Sequence, residues 1–273
     1  MPANLLALGA IALWATLATL GVSLTHVPPF LLTGIALLIG SVPAWPLVRQ
    51  WRMPLSTLAL GIYGLFGYHF LLFIALRHAP PVQANLVNYL WPLLIVVLAP
   101  VLLRGVRLHA VHVVAALVGF AGAGIAIVGG RSLDTGFAWG YLPAAGSAFL
   151  WASYSLLTKR VAPFPTAAIG AFAVASGLLS LLCHALLEPA TVLTGRDWLL
   201  LALMGLGPLG AAFFLWDAAL KRGDARSIGL LSFITPLLST LLLLAVRGET
   251  PSASIVLAAA MIIGAAIVGT RAR

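Results

Sequence analysis

Residues 85–94 read NLVNYLWPLL: two asparagines, a tyrosine, a tryptophan and a proline near the middle of an apolar run from Val82 to Leu103. Amide and phenol groups at that spacing are suited to hydrogen-bonding the polar end of a small molecule; hydrogen bonds between packed helices are the structural alternative. On an ideal helix Asn85, Asn88, Tyr89 and Pro92 fall within about 80° of one another, which makes one polar stripe. Pro92 cannot donate to the carbonyl of Asn88, and its ring clashes there. The freed carbonyl must face protein or a water-filled cavity. Trp91 lies about 60° from Asn88 on the same helix, so a kink at Pro92 can turn it inward or outward. His69 follows Tyr68 inside another apolar run. An ionisable ring at such depth suits substrate binding or proton relay; a neutral ring bonded to a neighbouring helix is the structural alternative. Trp14 and Trp151 sit mid-run, where interfacial aromatic belts do not account for them. Their rings can stack on an apolar substrate and its ammonium group, or fill a core.

Other chemistry is poorly represented. There is no GxSxG, P-loop or HExxH, and the single cysteine, Cys183, cannot form a disulfide within the chain. His109 and His112 share a helix face, but two ligands without a third make a poor metal site. No cofactor and no metal are expected. No Asp or Glu lies deep in an apolar run. Asp217 comes closest, and Lys221 four residues on reads as its partner in an interfacial ion pair. His184 and Glu188 read as a surface pair of the same spacing.

The elements that position these side chains are membrane helices. Of 273 residues, 62% are hydrophobic and 8% charged, against about 25% charged in soluble domains. A hydrocarbon core about 30 Å thick takes about 20 helical residues. Ten runs qualify: Ala3–Leu24, Pro29–Val48, Leu55–Leu76, Pro81–Leu103, His109–Val128, Phe137–Thr158, Pro165–Leu187, Trp198–Leu220, Ala225–Val246 and Ser252–Thr270. The N-terminal run lacks a basic leader and exceeds a signal-peptide core, so it reads as a first span. Loops are too short for a soluble catalytic domain. With ten spans the connections on the side of the termini, together with the C-terminal tail, carry eleven of the fifteen Lys and Arg residues; Arg77, Arg131, Arg196 and Arg247 fall opposite. Basic loops stay cytoplasmic, which places both termini inside. The net charge of +9 then reflects an anionic leaflet rather than nucleic acid. Trp45, Trp51, Trp139, Trp198 and Trp216 lie near span ends and suit the interfacial belt.

The two halves resemble each other. ALWAT (12–16) matches FLWAS (149–153). ALRHAPPVQANLVNYLWPLL (75–94) aligns without gaps to ALKRGDARSIGLLSFITPLL (219–238). GIAIVG (124–129) matches GAAIVG (264–269). Residues 1–130 and 131–273 thus read as two repeats of five spans. An odd number of spans inverts the second copy, and inverted repeats are a mark of secondary transporters. Pro92 and Pro236 are matched helix breaks. Small residues Ala115, Gly119 and Ala123, and Ala260 and Gly264, predict close packing of spans five and ten. A homodimer through that face is the alternative.

These matched tryptophans and prolines resemble the ten-span EamA-type permeases of the drug/metabolite transporter superfamily, over essentially the whole chain. Tyr68–His69 with NYLWP is most similar to the YddG-type aromatic amino-acid exporters. The resemblance implies an all-α integral membrane fold of two inverted five-helix repeats. It also implies a central cavity lined by spans one, three, four, six, eight and nine. The expected function is export of aromatic or other apolar amino acids and related metabolites from the bacterial cytoplasm by alternating access. Trp14, Tyr68, His69, Tyr89, Trp91 and Trp151 are expected around the substrate, with Asn85 and Asn88 on its polar groups. The partners are then a small amino acid-like molecule and the bilayer, with no nucleic acid, and a monomer suffices. Export of drugs or other metabolites is the nearest alternative, and a membrane-embedded metalloenzyme a more distant one.

Overall fold

A computed structural model describes residues 1–128, 133 and 136–271. Arg131, Asp134, Arg273, Gly129 of the GIAIVG match and the repeat boundary at 130/131 lie outside them. The described residues are all-α, and nine helices are long and apolar enough to cross a membrane: Ala3–Val22, Pro29–Trp51, Leu55–His78, Pro81–Leu102, Ala110–Val128, Thr166–Leu187, Gly195–Arg222, Ala225–Arg247 and Ala253–Arg271. Between the fifth and sixth of these runs a further helix, Tyr141–Leu157, of 17 residues. At 1.5 Å per residue it is about 25 Å long, the lower limit for a span. Spans are numbered one to ten with it counted as the sixth.

Several span ends have an identifiable cap. Span eight opens with a reciprocal capping box between Thr194 and Asp197, which satisfies two of its orphan N–H groups. Asp224 caps span nine, and Gly248 closes it at φ 69°, a left-handed turn that glycine adopts without strain. Span two is capped from elsewhere in the chain. The carboxylate of Glu188, at the end of span seven, accepts the Phe30 and Leu31 N–H groups at 3.0–3.2 Å. It also accepts Arg77 at 2.7 Å and His184 at 3.0 Å, and its side chain is fully shielded. The expected surface pair is therefore a buried junction of spans two, three and seven. It is stable there because a carboxylate at a helix N-terminus gains from the macrodipole as well as from its cations.

Spans two and seven run against each other, as do spans five and ten. The five/ten contact differs in detail from the expected one. It uses Gly122 against Ala258 and Ile262, and Gly269 against Ala115. Ala260 is exposed, Gly264 has open space around it, and Gly119 receives the ring of Phe233 from span nine. The face of span ten was misplaced by two residues, about 200° of helical phase, because small residues recur all round it. Connections alternate between two faces. Gly223 approaches Ala3, and Arg226 donates to the Arg107 carbonyl, which puts the N-terminus and the connections after spans four and eight together. Glu188, Arg77 and Phe30 lie at the other face.

Candidate functional site

Spans three, four, eight and nine are each interrupted part-way, and these interruptions define the centre. Span four breaks at Tyr89 (φ −67°, ψ 5°), between Pro81–Asn88 and Leu90–Leu102. Span nine breaks at Ser232 and Phe233, between Ala225–Leu231 and Ile234–Arg247. Each break falls a turn before its proline, Pro92 or Pro236, where the missing N–H and the ring clash act. Spans three and eight each carry one π-helical turn, Tyr63–Gly67 and Gly207–Ala211. Glycines there admit neighbours that a β-carbon would exclude. An added Cβ on Gly64 would sit 2.2 Å from the Tyr154 ring, and one on Gly210 2.2 Å from the Gly205 carbonyl.

Around these breaks lies a cavity of about 440 Å³, and Trp14, Tyr68, His69, Asn85, Asn88, Tyr89, Trp91 and Trp151 all line it. Its lining holds no Asp, Glu, Lys or Arg; hydroxyls of Thr33, Thr235 and Ser239 and rings of Phe73 and Phe213 join it. The lining continues along Leu17 to Gly21 and Phe73 to Leu76, toward the face of Glu188. At its other end the tryptophans form a floor. Trp14 stands edge-on to Trp91 at 6.2 Å and to Trp151 at 5.7 Å, the geometry that aromatic quadrupoles favour.

Trp216 supports this floor from below, at 5.1 Å from Trp14 and 5.7 Å from Trp91. It is 1% exposed and donates to Ser155 at 3.1 Å. Its expected place in the interfacial belt is wrong. Span eight continues to Arg222, so Trp216 lies almost two turns inside the bundle. Trp45, Trp139 and Trp198 are half exposed, as a belt requires. Asp217 beside it is buried too. Lys221 and Thr166 both reach one oxygen at 2.6 Å, and the other oxygen has no hydrogen-bond partner among the described residues. The pair with Lys221 exists, but it closes the bundle rather than decorating an interface.

The polar lining groups divide by what they already bond. Asn88 accepts Ser147 at 2.8 Å and donates to the Tyr68 hydroxyl at 3.2 Å, so its amide ties spans three, four and six. The side-chain amide of Asn85 has no partner among the described residues. His69 Nδ1 lies 2.6 Å from the Leu65 carbonyl. A carbonyl only accepts, so Nδ1 carries the proton and Nε2 of the neutral ring is the acceptor. Trp14 donates to the Pro208 carbonyl at 3.1 Å. The two hydroxyls from span six that matter, Ser147 and Ser155, gave no sequence signal, because serine in a membrane helix commonly bonds its own backbone.

The sequence profile of the EamA-like transporter family matches residues 1–128 and 138–270. The chain belongs to the EamA-like transporter family. Among its EamA-like relatives, the aromatic amino acid exporter YddG of Ancylobacter novellus is 44% identical over 98% of this chain and 96% of its own. The aromatic amino acid exporter YddG of Escherichia coli is 28% identical over 88% of this chain and 87% of its own. A crystal structure 44% identical in sequence matches with a TM-score of 0.92, covering 98% of this chain and 96% of that one. Transport by a multi-pass, all-helical EamA-like membrane protein is thus established as the setting for the cavity.

Proposed function

We propose that this transporter exports aromatic or other apolar amino acids across the bacterial cytoplasmic membrane by alternating access. One observation carries the proposal: eight side chains from spans one, three, four and six meet in a single neutral cavity with a tryptophan floor. A zwitterion suits it, because both its charges find amide, hydroxyl and imidazole partners without an opposing fixed charge. The rings of Trp14, Trp91 and Trp151 then receive the apolar side chain and its neighbouring ammonium. Relatives named as aromatic amino acid exporters support the same cargo class. The machine would be two inverted repeats, with Pro92 and Pro236 as matched hinges, both termini cytoplasmic and one chain sufficient. Proteoliposomes loaded with labelled phenylalanine or tryptophan provide the test. Efflux should fall for Trp151→Ala and His69→Ala. If no amino acid moves, or if both variants transport like the parent, the assignment is wrong.

A further inference from the structure

We propose that a second cavity, at the face of the N-terminus, binds the phosphate of an anionic phospholipid headgroup. It measures about 510 Å³ and is lined by Leu103, Arg104 and Val106 after span four and by Lys159 and Arg160 after span six. Three of its five lining side chains are cations and none is an acid. Elsewhere on this face Lys221 is paired with Asp217 and Arg226 with Asp224. The side chains of Arg104 and Arg160 have no ion pair or hydrogen bond among the described residues, and, unlike the other unpaired arginines, they share one hollow. Two guanidiniums beside an ammonium match the oxygens of one phosphate, with the forked donors that arginine supplies.

The surroundings favour lipid as the source of that phosphate. Leu103 and Val106 give the hollow an apolar wall. Directly along span four, Val97 and Val101 are 36% and 72% exposed, a strip that acyl chains would cover. The hollow therefore lies where a headgroup hangs from chains on that strip. Lys159 is already fastened to the Leu220 carbonyl and, at 2.8 Å, to the Gly223 carbonyl, at the end of span eight. Burial pulls its pKa below the usual lysine range, with Asp224 opposing; a phosphate would reinforce the charged form. Bound lipid would in this way brace the ends of spans four, six and eight together.

The test is the full-length protein in phosphatidylcholine nanodiscs, with phosphatidylglycerol titrated in and binding read by native mass spectrometry. Saturable retention of phosphatidylglycerol over phosphatidylcholine is expected. Each of Arg104→Gln and Arg160→Gln should weaken it about fivefold, from about 1 kcal/mol per basic residue. Arg271→Gln, outside the hollow, should leave it unchanged and serves as the control for folding and for general charge. Equal retention of the two lipids overturns the proposal, as does unaltered retention in the Arg104→Gln/Arg160→Gln protein. Displacement by millimolar inorganic phosphate as effective as by phosphatidylglycerol overturns the lipid assignment and leaves a free-phosphate site.

Discussion

Asn85 and Asn88 lie a turn apart on one stripe, yet their substitution by alanine should fail in different ways. The Asn88 amide is committed within the protein, accepting from Ser147 and donating to Tyr68. Interhelical hydrogen bonds in membranes average about 0.6 kcal/mol each, so Asn88→Ala should cost about 1.2 kcal/mol of stability. Ser147 retains its bond to the Ala144 carbonyl, which holds the loss at that level. Asn85 lines the cavity with its amide unengaged. Asn85→Ala should therefore leave stability within about 0.5 kcal/mol of the parent. A hydrogen bond to a charged ligand group contributes about 1.5–3 kcal/mol, so the apparent KM for an aromatic amino acid should rise about tenfold to a hundredfold. Thermal unfolding in detergent gives the stability ranking, and counterflow of labelled phenylalanine in proteoliposomes gives KM. An unchanged KM in Asn85→Ala, together with an Asn88→Ala protein as stable as the parent, would refute the division of labour.

Further outcomes follow from the same contacts. Gly64→Ala drives a Cβ into the Tyr154 ring and should cost about 3 kcal/mol, the upper end for overpacking; Gly264→Ala meets open space and should be neutral or slightly stabilising in the same unfolding assay. Trp14→Phe keeps an aromatic ring but removes the indole N–H that the Pro208 carbonyl accepts, so a loss of about 1–3 kcal/mol is expected by thermal unfolding. Burial pushes the Asp224 carboxyl up, but hydrogen bonds from Arg226 outweigh it and hold it below the usual carboxylate range. Its contribution is then fully present above the unfolded value of about 3.9 and is lost as pH falls through the lower folded value. Asp224→Asn should accordingly flatten the stability–pH curve below about pH 4, by no more than about 1 kcal/mol for so exposed a pair.

Much of the centre was legible in the sequence because membrane burial makes polar residues conspicuous. Asparagine, histidine and mid-span tryptophan stand out against an apolar background, and such positions face a cavity or a partner for the same reason. What escaped depends on helical phase and on distant partners. Trp216 was read by its nearness to the end of a span closing at Leu220, but the helix runs on to Arg222, and the π turn at Gly207–Ala211 adds a residue to one turn and rotates everything after it. Glu188 was read with its i−4 neighbour, whereas its principal partners, Arg77 and the N-terminus of span two, are more than a hundred residues away. The face of span ten offered several equivalent small-residue stripes, and only the neighbour decides among them.

The interruptions of the helices and the orientation of the cavity rings have one cause. A π turn or a proline break disturbs the regular hydrogen-bond ladder, and carbonyls at such points are available to side chains. Two cavity rings use them. His69 donates to the Leu65 carbonyl inside the turn Tyr63–Gly67, and Trp14 donates to the Pro208 carbonyl inside the turn Gly207–Ala211. The two turns stand 144 residues apart, the offset at which residues 75–94 align with 219–238. The breaks at Tyr89 and Phe233 keep that offset as well. A random weakness in an apolar helix would not recur at one spacing in two different span pairs. Loosened backbone at matched depths is what two inverted copies would supply to a shared site. It also explains why the residues most costly to place in lipid are gathered there: the same breaks that expose backbone groups provide the acceptors that fix the rings.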